Sequence, residues 1–154
     1  MNCTKIGPVF KRMECFYRQV DTNRYGISVH LSGNRQLSKN AEIGMAVHLK
    51  FQKTNKVVKF LEFKFNICDT LEKQNLPVPM FKSIFNEVMM KSNVPFSCPV
   101  IKDFIYNVTD FMLTDNIFPA YTVLANFNFT MTFYNDYKKF GTLVLTGRTY
   151  PKKS

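Results

Sequence analysis

The sequence predicts a mainly β protein, a sandwich or cup of antiparallel strands with one inserted α-helix, and three observations carry that prediction. Apolar and polar residues alternate at period two through most of the chain, the mark of strands with one buried face. A single segment, residues 79–91, repeats instead at the helical period, with Phe81, Ile84, Phe85, Val88 and Met89 on one stripe and Lys82, Asn86, Glu87 and Lys91 opposite. One helix is too few for a parallel sheet, which needs a crossover after nearly every strand.

In chain order, Met1 to Gln19 has a Gly7-Pro8 breaker and no sustained period, with a first strand near Val9 to Arg18; Cys3 and Cys15 are close enough to staple this arm. Ile27, Val29 and Leu31 alternate until Ser32-Gly-Asn-Arg-Gln36 ends the strand. Ile43, Met45, Val47, Leu49 and Phe51 form a five-term alternation. The turn Gln52 to Asn55 leads into Val57 to Ile67, with Leu61, Phe63, Phe65 and Ile67 on one face, so the two strands read as a hairpin. Pro79 suits a first helical turn and Pro95 lies just past the helix. Phe104, Tyr106 and Val108 then alternate, and a change of phase at Asp110, before Phe111 and Leu113, marks a bulge. After the Phe118-Pro119 loop comes the longest alternation, Tyr121 through Val123, Ala125, Phe127, Phe129 and Met131 to Phe133. Phe140 to Tyr150 is the last strand. Six to eight strands result, with no repeat, linker or low-complexity tract.

The 154 residues make one domain, residues 1–154, large enough to bury roughly 68–70% of its unfolded surface. Disulfides therefore supplement a core and do not replace it. The 16 Phe and 7 Tyr, without a Trp, fill a wide space between sheets or line one left partly open. A net charge of +10 suits solubility or anionic lipid; the basic residues are scattered in pairs such as Lys11-Arg12 and Lys138-Lys139, so no stripe proposes a nucleic-acid groove. The four cysteines contain no CxxC pair, and His30 and His48 sit in unrelated segments, which argues against zinc. Sequons at Asn2, Asn107 and Asn128, with an even number of cysteines, favour an oxidising, secreted setting. Met1 to Lys5 lacks the apolar run of a signal peptide, so the expectation is a secreted chain whose leader is absent from this sequence. No run of about 18 apolar residues exists to span a membrane.

Signatures of catalysis are missing: no Gly-rich phosphate loop, no nucleophile elbow, no paired His and Glu at helical spacing. His30 and His48 belong to the outward phase of their strands. The expectation is a protein without catalytic residues, cofactor or metal. The aromatic residues admit two readings. Phe81, Phe85 and Met89 on the helix and Phe63, Phe65, Phe104, Tyr106, Phe127, Phe129 and Phe133 on strands either fill a core or line a cavity for an apolar ligand. Met80, Met89 and Met90 suit an irregular apolar shape.

The run Asn66-Ile-Cys68-Asp-Thr-Leu71, then Ser92-Asn-Val-Pro-Phe-Ser-Cys98-Pro99, a Phe-Pro step and a long aromatic strand resemble a large insect family of small secreted proteins. That family is similar to the ganglioside activator protein and the wider ML lipid-recognition superfamily, and includes chemosensory proteins of gustatory hairs. The resemblance runs from about Cys3 to Tyr150. It implies a β-cup or Ig-like β-sandwich whose interior accepts lipid, with Cys68 joined to Cys98; Cys3 with Cys15 is the second pairing expected, among the three connectivities that four cysteines allow. It implies a glycoprotein that carries or presents a lipid, long-chain hydrocarbon or pheromone. The ligand's head would meet surface lysines such as Lys82, Lys91 or Lys102, and a membrane surface or receptor is a further partner. The alternative is a filled sandwich that docks a receptor or channel through an exposed face.

Overall fold

Alternation at period two becomes eight antiparallel strands in two sheets. The structure is a computed structural model that describes residues 2–21, 24–73, 79–94, 98–101, 103–114 and 125–149. Among these, the strands are β1 (Asn2–Lys5), β2 (Phe10–Asp21), β3 (Arg24–Gly33), β4 (Glu42–Phe51), β5 (Val57–Asn66), β6 (Tyr106–Thr114), β7 (Ala125–Asn135) and β8 (Lys138–Thr149). Two helices, α1 (Ile67–Lys73) and α2 (Pro79–Met90), lie between β5 and β6. One sheet has the order β1-β8-β7-β4-β5 and the other β2-β3-β6. The expected β4–β5 hairpin is present, with Ile43 opposite Phe65 and Met45 opposite Phe63.

Three local features were readable only in part. β1 was not expected, because four residues give too short a window for a period; it forms by pairing with β8 from Cys3 opposite Leu143 to Lys5 opposite Gly141. The chain turns helical at Ile67 rather than continuing as strand, since Asn66 Oδ1 accepts the Asp69 N–H at 3.0 Å and caps α1. The phase change at Asp110 is indeed a bulge: β3 and β6 lose register between Ile27 and Val29, and Asp110 takes φ 53°. Its N–H donates to Ser28 Oγ at 3.0 Å and its carboxylate accepts two 3.1 Å bonds from Arg18. Beyond it, Phe111 swings inward and is buried. The β7–β8 hairpin turns on Asp136 and Tyr137, both at positive φ, as a two-residue loop of matching twist requires.

Two disulfides tie the sheets' flanks. Cys3 on β1 bonds Cys15 on β2, joining an edge of each sheet. Across the molecule, Cys68 on α1 bonds Cys98. Between those cysteines, α2 is held to the edge strand β6 by the residues just after it. Asn93 Oδ1 accepts the Asn107 N–H at 2.8 Å, Asn93 Nδ2 donates to Ile105 O at 2.9 Å, and the Thr109 N–H donates to Lys91 O at 3.0 Å. Asn93 thus acts as a short strand partner. Ser92 Oγ donates to Met89 O at 3.3 Å and closes the helix end.

Among the described residues, a packed core occupies one region between the sheets. Phe10 (β2), Phe133 (β7) and Phe140 (β8) are buried with ring centroids 4.7–5.9 Å apart, and Leu31, Leu37, Ile43 and Met131 pack around them. Gly141 makes this possible: a Cβ there would lie 2.6 Å from the Phe10 ring.

Candidate functional site: an apolar cavity between the sheets

Beside that core the sheets stand apart, and the space they leave, which Phe10, Phe133 and Phe140 also border, is a cavity of about 690 Å³. The inward phase of β4 lines it along its whole length, from Ile43 through Met45, Val47 and Leu49 to Phe51. From β7 come Phe127, Phe129, Met131 and Phe133; from β3, Ile27, Val29 and Leu31; from β6, Tyr106, Val108 and Phe111. The apolar stripe of α2, Ile84, Phe85, Val88 and Met89, covers the gap between the two sheets, so its amphipathic period is spent on the cavity. Lys82, Asn86 and Lys91 face solvent.

The wall carries almost no polar surface. Ser32 and Thr70 contribute hydroxyl-bearing side chains, both buried, and among the described residues no buried side-chain nitrogen or oxygen lacks a hydrogen-bond partner. Nothing inside the cavity therefore asks for a polar group from a guest. Arg35, exposed, stands at the rim beside Gly33, Leu37, Val100 and Ile101.

Of the ten aromatic and Met positions singled out in the sequence, Phe65, Phe85, Met89, Tyr106, Phe127, Phe129 and Phe133 line the cavity. Phe63 does not: it is half-buried at the edge strand β5, its ring stacked on Phe65 at 5.9 Å. Nor does Phe104, which precedes β6 and is 43% exposed, because the strand that was to turn it inward begins only at Tyr106, against whose ring it tilts at 4.8 Å. The side chain of Phe81 lies outside the described residues, as do Lys102, the Phe118-Pro119 loop and the start of the seventh strand from Tyr121. Phe60 was missed. Strict alternation from Phe63 puts it outside, but a bulge opposite Val47 and His48 returns it to the cavity wall, where it is 51% exposed at the rim. The three sequon asparagines are surface positions of strands: Asn2 on β1 and Asn128 on β7 are exposed, and Asn107 on β6 is half-buried. Thr130 Oγ1 donates to Asn128 Oδ1 at 3.2 Å. His30 pairs across strands with Asn107 and contacts the Phe16 ring edge-on at 5.6 Å; His48 pairs with Asn128.

Perturbed ionisation lies outside the cavity. The Arg18 guanidinium, through its hydrogen bonds and then its charge, holds the Asp110 carboxyl below the ordinary carboxylate range on the outer face of the small sheet. Among the described residues no helix is long and apolar enough to cross a membrane. No characterised protein matches the chain significantly. A family model described as "protein of unknown function (DUF1091)" matches residues 43–130, from β4 through β5, both helices and β6 into the first half of β7, elements of both sheets that line the cavity. With more than half of its length matched, the chain belongs to this family of proteins of unknown function, DUF1091.

Proposed function

We propose that this protein is a non-enzymatic carrier or presenter of a hydrophobic ligand, held in the aromatic-lined cup between the two sheets. The observation that carries the reading is a cavity of about 690 Å³ with an apolar wall, in a chain long enough to have closed it. Empty apolar space of that size costs packing energy, and a guest's hydrocarbon surface recovers it at roughly 25 cal/mol per Å² removed from water. The size falls in the range of small-molecule sites, about 300–1,000 Å³. The resemblance to the ganglioside activator and ML lipid-recognition proteins supports the same reading, and with it a role in insect chemosensation or extracellular lipid handling, the guest being a lipid, long-chain hydrocarbon or pheromone. Two disulfides and three sequons support secretion. The basic surface suits contact with an anionic membrane or with a receptor that takes up the loaded protein. The alternative of a filled sandwich that works only as a docking module sits poorly with so large a void.

The test is native mass spectrometry of the protein from a secretory eukaryotic host, with organic extraction of whatever it carries. A co-purified apolar molecule is expected, and Phe129→Lys or Phe85→Lys, which place an ammonium on the wall, should abolish its retention while the fold survives by circular dichroism. An empty, disulfide-bonded protein that also takes up no fluorescent fatty acid would refute the carrier reading and return the docking module.

A further inference from the structure

The outward phase of β2, β3 and β6 carries the polar residues expected of a solvated sheet face, with one exception near its centre. Phe16 stands there 51% exposed, its ring edge-on to His30 at 5.6 Å. Directly opposite His30, on β6, lies Asn107, and Asn107-Val-Thr109 is a glycan acceptor. Resting on the secreted setting of the carrier reading, we infer that an N-linked glycan on Asn107 folds back over the Phe16 and His30 rings and forms part of this face, whereas glycans on Asn2 and Asn128 stand free.

Register brings the three side chains together. Glu14, His30 and Asn107 form one row across the three strands, and Phe16 is the next outward residue along β2. Directly opposite residues share a face with Cβ atoms about 5 Å apart, so a sugar on Asn107 begins beside the His30 ring. Its attachment point is fixed from the other side. Asn93 Oδ1 accepts the Asn107 N–H at 2.8 Å, and the Asn93 N–H donates to Asn107 O at 3.2 Å. Both bonds use the Asn107 backbone. Among the described residues no hydrogen bond engages its side-chain amide, which is left for the modification.

The surroundings suit a pyranose. One face of such a ring presents C–H groups, which leave water favourably against an apolar ring, while its hydroxyls need polar partners at the margin. Phe16 and His30 supply the floor. On either side of Phe16 along β2 stand two Arg–carboxylate pairs, Arg12 with Glu14 at 2.7 Å and Arg18 with Asp110 at 3.1 Å. Each of these four side chains is at least 40% exposed, so all can meet sugar hydroxyls. The other two acceptors lack such a floor. Asn128 stands between His48 and Thr146 and Asn2 beside Val144, with Ala46, Thr142 and Arg148 as the next outward residues, so neither meets a Phe or Tyr ring.

The experiment takes the full chain from the secretory eukaryotic host, maps its glycopeptides by mass spectrometry and measures its unfolding in urea. Asn107 should be occupied. Loss of its glycan, by Asn107→Gln or by Thr109→Ala, should raise the unfolding equilibrium constant several-fold, and Thr109→Ser, which keeps the acceptor, should leave it at the parent value. In a Phe16→Thr background the same loss should cost less by at least about twofold, the coupling that two groups in contact produce. Asn2→Gln and Asn128→Gln should stay within about twofold of the parent. An Asn107 left bare while Asn2 or Asn128 carries sugar, a cost independent of Phe16, or an equal cost at all three sites would each overturn the inference and leave the secreted carrier reading intact. Sugar on none of the three sites overturns the inference and removes their support for secretion, while organic extraction still judges the carrier reading separately.

Discussion

Two glycines face aromatic rings at the same distance, and they should respond to the same substitution in opposite ways. A Cβ on Gly141 would sit 2.6 and 2.9 Å from atoms of the Phe10 ring, and one on Gly147 would sit 2.6 Å from two atoms of the Phe127 ring. Phe10 borders the cavity too, but it is buried and packed against Phe133 and Phe140 at 5.5 and 4.7 Å, so its ring moves only at the expense of those contacts. Overpacking of that kind costs about 1–3 kcal/mol, offset by about 0.5–1 kcal/mol because alanine restricts the unfolded chain. Gly141→Ala should therefore destabilise by about 1–2 kcal/mol, a fall of roughly 2–8 °C in Tm for a chain of this size. Phe127 borders the same cavity and is only half-buried, so its ring can shift at smaller cost. Gly147→Ala should leave stability within about 0.5 kcal/mol of the parent, yet lower the uptake of fluorescent fatty acid, since the displaced ring takes up guest volume. Urea melts and binding titrations of the two variants decide the matter. Equal destabilisation by both, or unchanged uptake in Gly147→Ala, would refute the claim that Phe10 is held by its packed neighbours while Phe127 has room to shift.

Other consequences are smaller in scope. Because Arg18 lowers the Asp110 carboxyl in the folded protein, the pair adds stability above the unfolded carboxyl pKa of about 4 and loses it as pH falls through the lower folded value; Asp110→Asn should flatten the stability profile below about pH 4 and lower it by a constant amount above pH 6, measured by urea melts across pH. Replacing Cys68 and Cys98 together by Ser should cost about 3–4 kcal/mol for their 30-residue separation, and the Cys3, Cys15 double variant about 3 kcal/mol for 12 residues; a larger loss from the shorter loop, read from urea midpoints, would mean that the clip between β1 and β2 acts on the native state and not on chain entropy. Asn93→Ala removes two hydrogen bonds that dock the end of α2 on β6, so it should cost about 1–3 kcal/mol and speed exchange of the Asn107 amide relative to that of Val47.

Much of this architecture was written in local patterns. Alternation placed β3, β4, β5 and β7, the 3.6-residue period placed α2, and the broken phase at Asp110 announced a bulge that the Arg18 and Ser28 contacts then hold. These were legible because a strand or helix face is set by residues a few positions apart. Features that depend on distant partners were not: β1 exists because β8 is beside it, and Phe60 faces inward because β5 bulges opposite Val47.

Neighbouring residues alone reveal which faces are apolar, and with them the β class, the amphipathic helix α2 and the even set of cysteines. They do not separate core from cavity. Phe129 and Phe140 are the same residue on neighbouring strands of one sheet and both reach the cavity wall, yet Phe129 is half-buried there while Phe140 is 1% exposed within the packed cluster. The difference is tertiary, because how tightly an inward ring is packed depends on how far apart the two sheets are held. That separation is set jointly by the disulfide joining β1 to β2, by α2 wedged along β6, and by the Phe10, Phe133 and Phe140 cluster at one end, none of which lies within reach of a local pattern.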